Sequence, residues 1–247
     1  MKLPKVIGSA FENTLPGNAM GDLKMGMPAM FAKAGYKVVD IGKFPAGGDD
    51  FSAQIQAFKK EGRGRDRSFR TARLGQFRQA VFQMGFKPKV ATIAKALLFP
   101  GGVKALGKSA NGMSTEIWWS PAYPFKSSLT GQTARQLADD YSAATKREWT
   151  QPLGVMHALI ETGIAALKAS GDPKNPKKVA DAIRTLKLET VIGQLDFAGS
   201  GIKNVSKMRV AGGQWVIDGK GRLDIVVTNN GTAPEIPVQR KFELINS

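Results

Sequence analysis

The sequence predicts an α/β fold built on a mostly parallel sheet with helices on its faces. Two observations carry that prediction. Short strand-like apolar runs, KVIGSAF (5–11), YKVVDIG (36–42), KVATIA (89–94) and STEIWW (114–119), recur along the first half of the chain. The segments between them have helical spacing and length, and strands that alternate with such segments pair in parallel.

Taken in order, KVIGSAF runs into the turn-prone NTLPGN (13–18). Met20, Leu23, Met27, Met30, Phe31 and Ala34 then recur at helical spacing, and Gly35 stops the pattern. Pro28 inside that pattern predicts a kink. After YKVVDIG, Asp49 and Asp50 can cap a helix whose apolar stripe is Phe51, Ile55 and Phe58. QFRQAVFQMGF (76–86) reads as the next helix, ahead of the third and fourth strands. From residue 151 the pattern changes. QPLGVMHALIETGIAALKASG (151–171) is a long helix with Met156, Leu159, Ile160, Ile164 and Leu167 on one side. A Gly-Asp-Pro-Lys-Asn-Pro break separates it from the short helix KKVADAIRTL (177–186). The tail, VIGQLDF (191–197) and KMRVAGGQWVIDGKGRLDIVV (207–227), is β-like, with Asp218-Gly219 as a turn.

At 247 residues, with 42% apolar and 23% charged residues, the chain can bury a substantial core. Its net charge of +16 favours acidic partners. Residues 60–78 hold seven basic and two acidic side chains, or +5 of that total, and the rest is diffuse, as on a solvated surface. There are no cysteines, which excludes thiolate metal sites, cysteine nucleophiles and disulfides. No stretch approaches the roughly 20 apolar residues of a membrane span, and MKLPKVIGSAF is not expected to be a secretory signal.

The chemical motifs are weak. GVKALGKS (102–109) satisfies the phosphate-loop pattern, but VKAL is helix-forming and no strand feeds the loop, so nucleotide hydrolysis is not expected. His157 is the only histidine. With Glu161 and Lys168 it forms a polar stripe, expected to be solvated or between lobes rather than catalytic or metal-binding. Asp139 and Asp140 are adjacent and so diverge on a helix. Trp118 and Trp119 end a strand, at the carboxyl edge where open α/β sheets bind ligands. Strand neighbours face opposite sides, so one of the two belongs to the core.

Several of these segments resemble a known family. DDFSAQIQAFKKEG (49–62), VIGQLDF, the GGQW segment (212–215) and the strand–NTLPGN–helix opening are similar to the type I periplasmic binding proteins. Within these they resemble the branched-chain amino acid group of ABC-transporter substrate-binding proteins. The resemblance runs from about residue 4 to 235, apart from the arginine-rich stretch. It implies two α/β lobes joined by three crossovers, with ligand trapped between them. It also implies that most of the first lobe has no counterpart here. Residues 4–120 would be the second lobe, 121–150 a crossover segment, 151–188 return helices of the incomplete first lobe, and 189–247 the passage back into the second lobe with the tail.

Site residues carry over in part. The resemblance places Pro16 and Gly17 in the cleft loop, Lys95 at the end of KVATIA, and Leu153 near a position that can be aromatic; Trp118 and Trp119 join them at the sheet edge. Some members hold the ligand amine with an acidic group close to Lys95, and a lysine cannot do so, which counts against an α-amino ligand. What the resemblance implies is a non-enzymatic solute-binding component of an ABC importer in the periplasm. It would take a small polar solute of the amino acid, urea or amide class, use no cofactor or metal, and deliver to a membrane permease. An amide- or amino-acid-sensing regulator on the same fold is the alternative. A basic nucleic-acid-binding protein is a third, and one that the diffuse charge does not favour.

EGRGRDRSFRTARLG (61–75) stands apart, with Arg63, Arg65, Arg67, Arg70 and Arg73 in the slot of a buried apolar strand and its cleft loop. An unpaired buried charge costs several kcal/mol, so residues 62–74 are expected to be irregular or a poor edge strand. A local reading-frame slip would explain the composition, and a genuine exposed excursion is the alternative.

Overall fold

The computed structural model describes residues 5–48, 50–61, 67–71, 81, 83–94, 97–219 and 221–245. Its chain divides into two compact units. The sheet unit comprises Met1–Thr115, Gly213–Val226 and Lys241–Ser247, and the helix unit Glu116–Gly212 and Val227–Arg240.

The strands are β1 (Val6–Ser9), β2 (Lys37–Val39), β3 (Arg67–Thr71), β4 (Val90–Ile93), β5 (Ser114–Ile117), β6 (Lys187–Thr190), β7 (Gly193–Asp196), β8 (Ala211–Ile217) and β9 (Leu223–Asn229). One seven-stranded sheet has the order β2-β1-β3-β4-β5-β8-β9, and β6 pairs with β7 in a separate antiparallel hairpin. The pairs β1–β2, β1–β3, β3–β4 and β4–β5 are parallel, so the four strands expected from the sequence share one sheet.

The helices are α1 (Leu15–Met20), α2 (Met27–Lys33), α3 (Ser52–Glu61), α4 (Pro100–Lys104), α5 (Ala134–Thr145), α6 (Gln151–Ala169) and α7 (Pro176–Thr185). Where a kinked helix through Pro28 was expected there are two helices. Pro28 sits in the first turn of α2, where its missing N–H leaves no bond unmade. The pattern still ends at Gly35, whose φ is +83°. Helix α5 was not foreseen, although its capping box is written in the sequence. The Thr133 hydroxyl accepts from the Gln136 amide at 3.2 Å, and the Gln136 carboxamide oxygen accepts from the Thr133 amide at 2.9 Å.

The core of the sheet unit follows from α3. Phe51, Ile55 and Phe58 are buried with Ala10, Val39, Phe44, Val81 and Phe86. The Phe58 ring lies flat on β1, where a Cβ at Gly8 would stand 2.6 Å from it. Only glycine admits the ring there.

The arginine-rich stretch corrects its expectation. Residues 67–71 form neither an irregular segment nor an edge strand; β3 lies between β1 and β4 and pairs with both. The ladder is made of backbone groups, and strands on either side offer donors and acceptors that need a partner whatever the side chains are. Arg63, Arg65, Arg73 and most of the helix expected at 76–86 lie outside the described residues. The segment carrying the phosphate-loop pattern runs through α4 and the 3-10 turn Gly107–Ala110, so it is helical where a phosphate loop would be open.

Candidate functional site

In the sheet unit the parallel strands put their carboxyl ends on one edge. In an open α/β sheet that edge binds ligands, because the loops leaving it are free to vary while the strands hold them in register. Strand β1 ends at Ser9, whose buried hydroxyl donates to an Asp40 carboxylate oxygen just beyond β2 at 2.5 Å. The other Asp40 oxygen accepts from the Gly42 amide at 2.8 Å. This pair was missed in the sequence, although both residues lie within strand-like runs.

The loop after β1 is built for a tight approach. Thr14 caps α1 by accepting from the Gly17 amide at 3.3 Å, and Asn13 N–H donates to the Phe44 carbonyl at 2.8 Å. Pro16 and Gly17, expected in a loop, lie in the first turn of α1, and a Cβ at Gly17 would stand 2.0 Å from the Glu12 carbonyl oxygen, so that turn requires glycine. Pro16 is exposed and Gly17 buried. Lys95 lies outside the described residues.

The other expected site residues belong to the helix unit. Gln151 is buried and ties the exit of β5 to the first turn of α6. Its Oε1 accepts from the Trp118 amide at 2.7 Å, and its Nε2 donates to the Glu116 carbonyl at 3.4 Å. Leu153, in that same turn, and the Trp118 side chain are both half-buried. Trp119 is the core-facing member of the pair. It is fully buried, edge-on to Trp149, with its ring against Gly154, where a Cβ would fall 2.2 Å from ring carbons. Trp118, Trp119 and Leu153 therefore lie in one unit, with the Trp118 amide bonded to Gln151, and Pro16 and Gly17 in the other.

Of the two expectations for the polar stripe, solvated or between lobes, the solvated one does not hold at Glu161, which is buried, or at His157, which is half-buried. The Glu161 carboxylate is fully buried and accepts from Ser128 N–H at 2.5 Å, Ser128 O–H at 2.8 Å and Val191 N–H at 3.0 Å. Those donors come from the loop before α5 and from the turn of the β6–β7 hairpin, which the linear sequence does not bring together. His157 Nε2 lies 2.7 Å from the buried Ser127 hydroxyl. The pair is not set up for nucleophilic work. Ser127 Oγ already accepts from the Leu129 and Thr130 amides, each at 3.2 Å, and among the described residues no acid orients the histidine ring. Among the described residues no His/Cys/Asp/Glu cluster could hold a metal ion.

A polar cleft of about 540 Å³, lined by residues that include Phe125, Glu189, Asp196, Lys207, Arg209 and Glu235, lies wholly within the helix unit. Two of its carboxylates are ion-paired, one within the lining and one to Lys187 outside it. Arg209 Nη1 meets both Glu235 oxygens at 3.2 Å, and Lys187 reaches Asp196 at 3.5 Å. The Gly199 amide holds the Asp196 carboxyl below the usual carboxylate range.

The family model described as periplasmic binding protein matches residues 17–220. The chain belongs to the periplasmic binding protein family. Solved structures share its fold at low identity. A leucine-binding protein from Thermotoga maritima is 14% identical at a TM-score of 0.69, over 90% of this chain and 59% of that one. A leucine-, isoleucine-, valine-, threonine- and alanine-binding protein from Brucella ovis is 20% identical at 0.69, over 99% and 57%. A solute-binding protein of an ABC transporter from Rhodopseudomonas palustris, in complex with 3,4-dihydroxybenzoic acid, is 16% identical at 0.66, over 89% and 58%. The chain thus spans 57–59% of the length of these three proteins. A search of curated proteins finds no match. The type I periplasmic-binding-protein fold expected from the sequence is the fold observed: α/β, with a mixed sheet flanked by helices.

Proposed function

We propose that this chain contributes one wall of a solute-binding cleft in the substrate-binding component of an ABC importer. Such a component works outside the cytoplasmic membrane, acts by binding rather than by catalysis, and hands its solute to a permease. The observation that carries the reading is the carboxyl edge of the sheet unit, with Ser9, Asp40 and the Thr14-capped first turn of α1 at Pro16–Gly17 on it, in a chain of this family. The solved relatives bind branched-chain and other small amino acids or a dihydroxybenzoate, which supports a small polar solute that carries a carboxylate or an amide. Closure around it would be a hinge motion, driven by contacts that only the closed state makes.

One wall cannot supply the 70–90% burial of a small-molecule site. In calorimetry the 247-residue chain should therefore show no binding of leucine, isoleucine, valine, urea or benzoate. A form extended to the length of the solved relatives should bind one of this class, and Asp40→Asn should weaken that binding by about tenfold, the worth of one polar contact. Micromolar binding by the chain alone would overturn the one-wall reading. Full retention of affinity in Asp40→Asn would remove the carboxyl edge from the site.

A further inference from the structure

The stretch MGDLKMGMPAM (20–30) holds four of the chain's nine methionines within eleven residues. They are not core residues. Met25 is 88% and Met30 62% exposed, and Met20 and Met27 are only half-buried.

Local backbone geometry sets these residues around one turn. Gly26 caps α2, so Met25 precedes the cap, Met27 is the first helical residue and Met30 the fourth. The residue before a cap and the fourth helical residue lie side by side, as in a hydrophobic staple. Met27 and Met30, one turn apart, share a helix face. The turn that delivers Met25 is fixed in advance: Asp22 Oδ1 accepts from the Lys24 and Met25 amides at 2.8 and 2.7 Å, and Gly26 N–H donates to the Asp22 carbonyl at 2.9 Å. A Cβ at Gly26 would stand 2.5 Å from the Met20 carbonyl oxygen, so the end of α1 is folded back beside the same turn.

We propose that Met25, Met27 and Met30, with Met20 adjoining them, form a thioether site for a soft monovalent cation, copper(I) or silver(I). Three neutral sulfur donors that can converge on one point match such an ion and offer little to magnesium, calcium or zinc, which want oxygen, nitrogen or thiolate. The net charge of +16 and the neighbouring Lys24 disfavour an ion held by charge alone, and the Asp22 carboxylate in the turn is engaged by the Lys24 and Met25 amides, so affinity has to come from bonding to sulfur. Thioethers have no proton to lose, so uptake releases none, unlike uptake at a cysteine site. The site is independent of the solute reading above.

The test is a silver nitrate titration of the full chain, labelled with carbon-13 in its methionine methyls, in chloride-free buffer. The Met25, Met27 and Met30 methyl signals should shift together and saturate near one silver per chain. Buried Met113 and the exposed, solitary Met156 should stay in place. The triple variant Met25→Leu, Met27→Leu, Met30→Leu keeps the apolar volume and should lose affinity by about tenfold or more, whereas Met156→Leu should not. Copper(I) in competition with bicinchoninate should follow the same ranking. The proposal is overturned if Met156 shifts as far as Met25, if the triple variant binds unchanged, or if no methyl moves.

Discussion

Helices α3 and α6 are both amphipathic in sequence, yet they bury opposite kinds of residue. Helix α3 turns Ile55 and Phe58 inward with Gln54 and the preceding Phe51, and keeps Lys59 and Lys60 out. Helix α6 buries Gln151, Gly154, Ala158, Glu161 and Ala166, and leaves Leu159 59% and Ile160 56% exposed, with Met156 and Leu167 also out. An apolar stripe states that a helix has a face to cover; it does not say what covers it. In α3 the cover is the chain's own sheet. In α6 the small residues admit close neighbours such as Trp119, and the buried carboxylate collects amides that would otherwise be unpaired.

Mutations can break that contrast, and the largest effect belongs to α3. Phe58→Ala removes a buried ring packed on Gly8 and should cost about 3–5 kcal/mol in denaturant unfolding, because the strand beneath cannot collapse into the space. A cost below about 1 kcal/mol would mean that α3 does not organise the core.

On α6 the sensitive position is polar. Glu161→Gln puts an amide group where a carboxylate oxygen now accepts, leaving the Ser128 or Val191 amide facing a donor. The expected cost is about 2 kcal/mol, with faster hydrogen exchange at the affected amide. Equal stability of the two forms would remove Glu161 as the organiser of these loops.

A smaller effect tests another buried polar group of the same unit. The Tyr123 hydroxyl donates to the Ile117 carbonyl at 2.7 Å, and burial pushes its ionisation above the ordinary tyrosine value of 10.0. The unfolded chain therefore loses this proton first as pH rises. Stability is complete below about pH 10 and falls above it. Tyr123→Phe should cost about 1 kcal/mol at neutral pH and flatten the alkaline slope. An unchanged slope would assign the alkaline loss to other groups.

The smallest effect on stability should come from the exposed stripe. Ile160→Ser should change unfolding by less than about 0.5 kcal/mol. It should also reduce self-association in light scattering, because Met156, Leu159, Ile160 and Leu167 form an apolar surface of the kind that drives association. A large loss of stability with no change in association would show that the stripe is covered.

By itself the sequence determined the class of fold. Apolar runs, helix periodicity and the Gly35 stop depend on neighbours a few residues away, and the four strands predicted from them occupy one sheet. The site was legible only in outline. NTLPGN reads as a loop in the sequence, but its last four residues open α1 behind the Thr14 cap; one tryptophan of the pair could be assigned to the core because neighbouring side chains of extended chain alternate. Tertiary structure decided the rest. Pro28 begins a helix rather than kinking one, since the residues before it turn at Asp22 and Gly26. Residues 67–71 become a central strand because the strands on both sides leave backbone groups to be paired, a demand that side-chain composition does not record. Ser9 and Asp40 meet across 31 residues, and Glu161 meets Ser128 and Val191 across 33 and 30. Those bonds satisfy buried polar groups at long range, where sequence spacing carries no signal.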